Sequence, residues 1–182
     1  MRIQPGDPAQ DFNVHDVNGQ PHSLAQYRGH PLLLQFYRYA GCPMCDLRLH
    51  DFARQYPALA DRGIRVVAFF HSSSGRLRRH LEDRGLPFPI VGDPSKAVYR
   101  AYGVEASALR LLRSIVKPRF YWDWLRSMRH GYWGTVHWRM TTMPADFLID
   151  GSSIVRRVHY GGDIGDHMPV TAILDAVELF PR

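Results

Sequence analysis

The residues of this sequence with the clearest chemistry are two cysteines three positions apart, in the segment Cys42-Pro43-Met44-Cys45. Thiol–disulfide exchange requires one thiolate that attacks and a second thiol close enough to resolve the mixed disulfide. A helix that begins here would supply both, because its exposed N–H groups and its dipole favour ionisation of Cys42 and place Cys45 one turn further on. Pro43 fits the first turn of such a helix, where its missing N–H costs no hydrogen bond. The spacing therefore predicts a redox-active Cys42–Cys45 disulfide that needs no other cofactor.

Two other uses of the cysteine pair stay open from the residues alone. The cysteines could form half of a zinc site with His50, His71 or His80, although structural zinc usually draws on a second pair of closely spaced ligands. They could also be an inert buried pair, since free cysteine packs as a small apolar residue. Haem attachment requires a histidine directly after the second cysteine, where this sequence has Asp46. We predict no metal site.

A cation and a histidine flank the cysteine pair along the chain. Arg38 comes just before the pair, and His71 follows the next predicted strand. If the two strands are parallel neighbours, both residues lie at carboxyl ends, where sites form in open α/β sheets. A nearby cation would lower the pKa of a thiol, and a histidine could move protons. We predict supporting roles for both, while ordinary structural roles stay open.

A proline in the second half of the chain is a further candidate. Met143 and Pro144 come directly before an apolar segment. Proline can simply be tolerated at the first residue of a strand. Beside a cysteine pair of this kind we interpret it instead as a cis proline that faces the cysteines, although only about 5% of bonds before proline are cis. Pro144 is therefore a predicted supporting residue.

Alternating strand and helix patterns surround these candidates. Apolar runs typical of buried strands occur at residues 32–37, 64–70, 88–91 and 145–150, and a partner strand follows at 153–159. Helical spacing and capping residues indicate helices that begin near residues 43, 75, 95 and 166. This order predicts an α/β fold with a central mixed sheet and helices on both of its faces.

The segment 106–140 differs from the rest of the chain in charge and in aromatic content. It has seven basic residues and one acidic residue, so it carries the whole net charge of +6. It also contains all four tryptophans of the chain, Trp122, Trp124, Trp133 and Trp138. We call this segment the basic insert.

The basic insert has the pattern of two short helices. Residues 106–117 fit an amphipathic helix with Leu109, Leu112 and Val116 on one face, and residues 120–129 fit a second helix. We predict a single domain over residues 1–182 that contains this insert.

Length and composition restrict the class of protein. With 182 residues, 45% hydrophobic and 22% charged, the chain is typical of a globular domain with its own core. The longest apolar run is interrupted by Gln35, and the first residues lack the apolar core of a signal peptide. The cysteines are also too few for a secreted domain that is held together by disulfides. We therefore expect a cytoplasmic protein.

Six segments outside the basic insert form a recognisable set. They are residues 36–45 (FYRYAGCPMC), 6–12 (GDPAQDF), 93–95 (DPS), 101–104 (AYGV), 144–150 (PADFLID) and 160–167 (YGGDIGDH). Together they resemble the alkyl hydroperoxide reductase/thiol-specific antioxidant family, in particular its peroxiredoxin-like branch with a CxxC motif. The resemblance implies a thioredoxin-like fold, thiol chemistry, a disulfide or hydroperoxide substrate, and a thiol electron donor such as a thioredoxin or glutathione system.

The sequence departs from that family at the site. True peroxiredoxins have proline where Arg38 stands and threonine where Cys42 stands, and their peroxidatic cysteine matches Cys45. They also carry an arginine near Pro144, where this chain has the thioredoxin-type proline. Thioredoxins, in turn, have tryptophan before the first cysteine, where this chain has Gly41. The resemblance therefore indicates the fold and leaves the substrate open.

Two mechanisms follow for the cysteine pair. In a thioredoxin-like reaction, Cys42 attacks a disulfide and Cys45 resolves the mixed disulfide. In a peroxiredoxin-like reaction, Cys45 attacks a hydroperoxide, becomes a sulfenic acid and condenses with Cys42. We favour Cys42 as the nucleophile, because we expect it to be the more exposed of the two.

The basic insert has several alternative uses. It could pack on the sheet, form a homodimer contact, recognise an acidic partner, cover the active site, or bind a membrane or nucleic acid. We favour packing or a homodimer contact and do not expect membrane or nucleic-acid binding. In a further alternative, the chain is a non-enzymatic redox sensor or binding module in which the insert performs the function.

Overall fold

The secondary structure follows the order predicted from the sequence. The computed structural model describes residues 2–82, 84–134 and 141–180. The strands are β1 (Asn13–His15), β2 (Pro21–Ser23), β3 (Leu32–Tyr37), β4 (Arg65–Phe70), β5 (Ile90–Gly92), β6 (Ala145–Ile149) and β7 (Val155–Tyr160). The helices are α1 (Pro43–Ala60), α2 (Ser74–Leu81), α3 (Ala97–Ala101), α4 (Ala108–Ile115), α5 (Pro118–Arg129) and α6 (Val170–Val177).

A mixed sheet organises the molecule, with the strand order β5-β4-β3-β6-β7. The first three of these strands run parallel to one another, and β6 and β7 are antiparallel to their neighbours. The hairpin of β1 and β2 lies outside this sheet. The α/β, thioredoxin-like architecture predicted from the sequence is confirmed.

The central strands are buried on both faces, because helices cover both sides of the sheet. On one face, residues of α1 and α6 such as Phe52 and Ile173 pack with Tyr37 in one core. On the other face, Tyr99 of α3 packs with Phe36 in a second core. Each such buried apolar side chain contributes about 1.5–3 kcal/mol relative to an exposed one.

The parallel pairing of β3 and β4 creates the edge where the site forms. Its register places Tyr37 opposite Phe70, so Arg38 and His71 follow at adjacent carboxyl ends. The two chains stay joined beyond the strands, because the backbone N–H of His71 donates to the carbonyl of Arg38 over 3.0 Å. The predicted neighbourhood of these two residues is confirmed.

The two segments that lead into and out of the basic insert, which contains α4 and α5, hydrogen-bond to each other. We call this pair of segments the closed base of the insert. The Ser107 N–H donates to the Thr141 carbonyl over 2.7 Å, and the Met143 N–H donates to the Glu105 carbonyl over 3.0 Å. The helix α5 packs against α1, where Arg126 forms an ion pair of 2.7 Å with Asp51. Residues 135–140, with Trp138 and Arg139, lie outside the described part of the chain.

The face of α4 that is buried is not the one that the apolar residues of the helix predict. The predicted apolar stripe of Leu109, Leu112 and Val116 does share one face, but that face is exposed. Ser114 is buried instead, and its Oγ accepts the Ile164 N–H over 3.1 Å. A buried serine with a satisfied hydroxyl thus takes a place expected for an aliphatic side chain.

No helix among the described residues is both long and apolar enough to cross a bilayer.

Candidate active site

The cysteine pair occupies the first turn of α1, directly after the carboxyl end of β3. Cys42 is the N-cap residue, and Pro43 is the first residue of the helix. The Cys42 carbonyl already accepts the N–H of Asp46 over 2.9 Å. Gly41 turns the chain into the helix with a φ of 85°, a conformation that would strain a residue with a side chain. The pair therefore stands where the sequence predicted it, at a helix N-terminus.

Arg38 is the cation of the site. Its Nη1 donates to the Cys42 Sγ over 3.3 Å, and its Nε donates to the Thr142 carbonyl over 3.2 Å. The guanidinium carbon also lies 5.5 Å from the centre of the Tyr39 ring. Arg38 is almost fully buried. A fixed positive charge that water screens poorly therefore faces the sulfur of Cys42.

This environment separates the acidities of the two thiols. Burial alone would raise the pKa of Cys42, but the Cys45 thiol hydrogen bond, the Arg38 charge and the Cys45 N–H lower that pKa to about 6. The pKa of Cys45 moves the other way, because burial raises it and the hydrogen bond and charge of Cys42 raise it further. At neutral pH this predicts a thiolate at Cys42 beside a neutral thiol at Cys45.

Our expectation that Cys42 is more exposed than Cys45 is wrong. Both residues are buried, with exposed fractions of 1% and 3%. The difference lies in what they face, because Cys42 lines a cavity and Cys45 is not among the described residues that do. Access to Cys42 therefore runs through that cavity and not across an open surface.

The basic insert builds most of this cavity, whose volume is about 350 Å³. Arg38, Cys42 and Pro43 line it from the side of the sheet and α1. The side chains that line it from the insert are Leu111, Ile115, Phe120, Trp124, Met128 and Trp133. The two helices thus place an apolar cover over the thiolate, which is one of the uses considered for the insert from its sequence.

His71 acts on the site through a threonine. Its Nδ1 lies 3.2 Å from the Thr142 Oγ1, while the Thr142 carbonyl accepts the Arg38 Nε. All three residues are buried. His71 therefore helps to hold the segment that orients the guanidinium. Thr142 was not predicted, and its position two residues before Pro144 was the only sequence signal for it.

The expectation of a cis proline is wrong. The described residues contain no cis peptide bond, so the Met143–Pro144 bond is trans. Trans is favoured before proline by about 0.5–1 kcal/mol, and Pro144 leads directly into β6. Its carbonyl accepts the Gly161 N–H over 2.9 Å. Pro144 is also not among the described residues that line the cavity over Cys42.

A buried carboxylate next to Cys45 was missed as a site residue. Asp46 lies 2.9 Å from the His80 Nε2 and accepts from the Arg84 Nη1 over 3.0 Å. The Gly41 N–H, in the turn before Cys42, points to the same histidine nitrogen over 3.2 Å. The negative charge of Asp46 acts against the Arg38 effect on the pKa of Cys42. From the sequence, the only conclusion drawn from Asp46 is that it stands where haem attachment would require a histidine.

The three histidines considered as zinc ligands have other partners. The His50 Nδ1 lies 3.2 Å from the Tyr132 hydroxyl, and His71 and His80 contact Thr142 and Asp46 as described. Within residues 2–82, 84–134 and 141–180, no group of three histidine, cysteine or carboxylate side chains could hold a metal ion.

Comparison with known proteins places this geometry in a family. The AhpC/TSA family model matches residues 5–158. A Mycobacterium tuberculosis protein provisionally named a peroxiredoxin is 30% identical over 125 residues, which are 67% of this chain and 80% of that protein. The thiol-disulfide oxidoreductase ResA of Geobacillus thermodenitrificans is 32% identical over 100 residues, or 54% of this chain and 57% of ResA.

The fold comparison agrees with the sequence comparison. The crystal structure of peroxidoxin BcpB from Mycobacterium tuberculosis is similar over 100% of both chains, with a TM-score of 0.70 at 19% identity. At that identity the likeness supports the thioredoxin-like fold. The family model and the 30% identical relative show that this chain belongs to the AhpC/TSA family and is a thiol-based redox enzyme.

Proposed function

We propose that Cys42 is the nucleophile of a two-cysteine thiol reductase and that Cys45 resolves the intermediate. The observation that carries this proposal is the Arg38 guanidinium at 3.3 Å from the Cys42 sulfur, on the inner wall of a cavity. A thiolate with a pKa of about 6 is ionised at neutral pH, and Cys42 is the cysteine that an incoming molecule would meet.

The primary reaction that we propose is thiol–disulfide exchange. The Cys42 thiolate attacks one sulfur of a disulfide, forms a mixed disulfide and releases the other sulfur as a thiolate. Cys45 then loses its proton and attacks the Cys42 sulfur, which forms the Cys42–Cys45 disulfide and releases the second substrate thiol. A thiol donor of the thioredoxin or glutathione type supplies two electrons to restore the dithiol. The cytoplasm, where thiols are kept reduced, is the compartment that we propose.

Hydroperoxide reduction is the second candidate, and the same arginine favours it. The Cys42 thiolate would attack the terminal oxygen of a hydroperoxide, and the O–O bond would break to release an alcohol after protonation. The guanidinium beside the sulfur could stabilise the charge that develops on the leaving oxygen. The Cys42 sulfenic acid would then condense with the Cys45 thiol to give the disulfide and water. Attack by Cys45 itself has less support, because its pKa is raised.

The cavity supports a substrate with an apolar organic group. Its volume of about 350 Å³ lies in the range of small-molecule sites, which are mostly apolar with a few polar groups that fix orientation. Aliphatic and aromatic side chains of α4 and α5 form its walls, and Arg38 is its charged group. We therefore propose an organic disulfide or organic hydroperoxide in preference to hydrogen peroxide.

Single-cysteine variants test the assignment. We expect Cys42→Ser to abolish reduction of both an aromatic disulfide and cumene hydroperoxide. We expect Cys45→Ser to keep one rapid turnover and to stop at a mixed disulfide or a sulfenic acid, seen by mass spectrometry. Circular dichroism of each variant serves as the control for folding.

The intermediate trapped in Cys45→Ser also separates the two reactions. A mixed disulfide formed in preference to a sulfenic acid supports disulfide reduction, and the reverse supports the peroxidase. A Cys42→Ser protein that still performs the first turnover at the rate of the unmodified enzyme would overturn the proposal. Mixed disulfides captured from cell extract with Cys45→Ser would identify the partner.

A further inference from the structure

The basic insert has a second surface, which the proposed function leaves unused. On α4, Leu109, Leu112 and Val116 are 58%, 62% and 70% exposed. On α5, Trp122 and Leu125 are 73% and 50% exposed. These five side chains recur at helical spacing, on other faces of α4 and α5 than those that line the cavity. We call them the outer face of the insert.

Two arginines belong to the same outer stripes. Arg113 follows Leu109 by four positions, and Arg129 follows Leu125 by four positions, so each shares a helix face with apolar side chains. Neither forms an ion pair with any carboxylate in the described part of the chain. The ion pairs that α5 and the segment before it do make are Lys117–Asp163, Arg119–Asp123 and Arg126–Asp51.

We propose that the outer face of the insert docks on an anionic lipid surface. Residues 106–134 have six basic side chains against one carboxylate, Asp123. An exposed apolar stripe with unneutralised arginines is the pattern of a helix that lies in a membrane interface. Leucine, valine and tryptophan side chains enter the boundary between headgroups and acyl chains, and arginines bind lipid phosphates.

The charges of this face argue against one other occupant, and its side-chain types argue against a second. A symmetric dimer through this face would bring Arg113 and Arg129 against a second copy of the same basic surface, whose one carboxylate, Asp123, already pairs with Arg119. Single-stranded nucleic acid gains affinity by stacking bases on aromatic rings, whereas the stripe on α4 is aliphatic. The enrichment of tryptophan, tyrosine and arginine in interfaces predicts packing on the sheet or a homodimer contact, and the exposure of Leu109 and Leu112 is the observation that favours a membrane surface instead.

Vesicle co-sedimentation of the full-length protein tests the proposal. We expect binding to vesicles of phosphatidylcholine with phosphatidylglycerol, weak binding to phosphatidylcholine alone, and loss of binding as salt is raised. We expect the double variant Leu112→Ser/Trp122→Ser to bind at least about tenfold more weakly, since two large apolar side chains no longer leave water. The matched control is Leu179→Ser, because Leu179 is 85% exposed and lies beyond α6, outside the insert.

A charge variant tests the lipid headgroup contact separately. We expect Arg113→Gln to weaken binding about fivefold, as expected for one arginine at an anionic surface, and Arg54→Gln on α1 to leave it unchanged. Turnover of a soluble disulfide should stay the same in all these variants, so membrane docking and the thiol mechanism can fail independently.

Three results would overturn the proposal. The first is equal binding of the unmodified protein and of Leu112→Ser/Trp122→Ser to anionic vesicles, or no binding by either. The second is a dimer in sedimentation velocity that the double variant abolishes, which would make a second copy the occupant. The third is an oligonucleotide shift that requires the same two side chains.

Discussion

Arg38 and Asp46 set the acidity of Cys42 from opposite directions. The guanidinium of Arg38 lies beside the sulfur, and the carboxylate of Asp46 lies one helical turn along α1, between His80 and Arg84. Both groups are buried, so their charges act through a medium that screens them less than water does. Removal of the Arg38 charge should therefore raise the pKa of Cys42, and removal of the Asp46 charge should lower it.

Removal of the arginine should make Cys42 less acidic. In Arg38→Met the pKa of Cys42 should rise from about 6 toward the ordinary thiol value of about 8.5, because the thiolate loses its cation. The rate of alkylation by iodoacetamide, measured against pH, should then fall about tenfold or more at neutral pH, where less thiolate is present. The control is Arg62→Met, an exposed arginine on the segment after α1. An unchanged midpoint would contradict the role given to Arg38.

Removal of the carboxylate should have the reverse effect. In Asp46→Asn the side chain keeps its size and hydrogen-bonding oxygen but loses the charge that raises the pKa of Cys42. The midpoint of the same alkylation profile should therefore fall below about 6. A midpoint that rises would show that Asp46 acts by positioning the turn at Gly41 and not by its charge.

At the scale of elements, α4 and α5 have two different surfaces. One lines the cavity over the cysteine pair, and the other carries exposed apolar side chains and arginines. The insert stays in place through its closed base and through contacts of α5 with α1. Its inner surface should therefore decide which substrates reach Cys42.

A change of one cavity side chain should alter substrate preference. In Trp124→Ala the cavity loses part of its apolar wall, so kcat/KM for an aromatic disulfide or cumene hydroperoxide should fall about tenfold. The alkylation rate of Cys42 by small iodoacetamide should not fall. Trp122→Ala is the matched control, because that tryptophan lies on the same helix but on the outer face. Equal losses in both variants would show that the cavity does not select the substrate.

For the whole molecule, a buried contact between a carboxylate and a histidine connects the sheet to the segment before its last helix. Asp146 of β6 contacts the His167 Nδ1 at 3.0 Å and accepts the Met168 N–H over 2.6 Å, directly before α6. Gln35 of β3 donates to the same carboxylate over 3.3 Å. Burial alone would raise the pKa of Asp146, but the charge and hydrogen bond of His167 and the other donors lower it overall.

Loss of this carboxylate should destabilise the fold in a pH-dependent way. Asp146→Asn should reduce the free energy of unfolding at neutral pH by on the order of 2 kcal/mol, since the buried donors around Asp146 lose a charged acceptor. Because the folded-state pKa of Asp146 is lowered, its contribution is complete above the unfolded pKa of about 3.9 and is lost as the pH falls through the folded value.

Urea unfolding at neutral pH and in acid measures this effect. The difference in free energy of unfolding between the unmodified protein and Asp146→Asn should shrink as the pH falls below about 4. The control is Asp61→Asn at the end of α1, which lies on the surface. A difference that does not change with pH would show that the lost contribution is packing and not charge.

Local patterns in the sequence determined the elements and the position of the cysteine pair. Apolar runs, the proline after Cys42 and the alternation of strand and helix are properties of neighbouring residues, so they predicted β3, α1 and β4 and the edge where Arg38 and His71 meet. They also predicted that the insert is helical, with Leu109, Leu112 and Val116 on one face.

Tertiary contacts decided the rest, because they join residues far apart in the chain. The direction of the Arg38 guanidinium depends on the carbonyl of Thr142, and the carboxylate of Asp46 contacts His80 of α2 and Arg84 beyond it. The trans form of the Met143–Pro144 bond and the exposure of Leu109 and Leu112 on α4 also depend on the residues that pack around them. Periodicity shows that a helix has two faces, but where both carry apolar residues, only packing against the sheet and α1 selects the one that is buried.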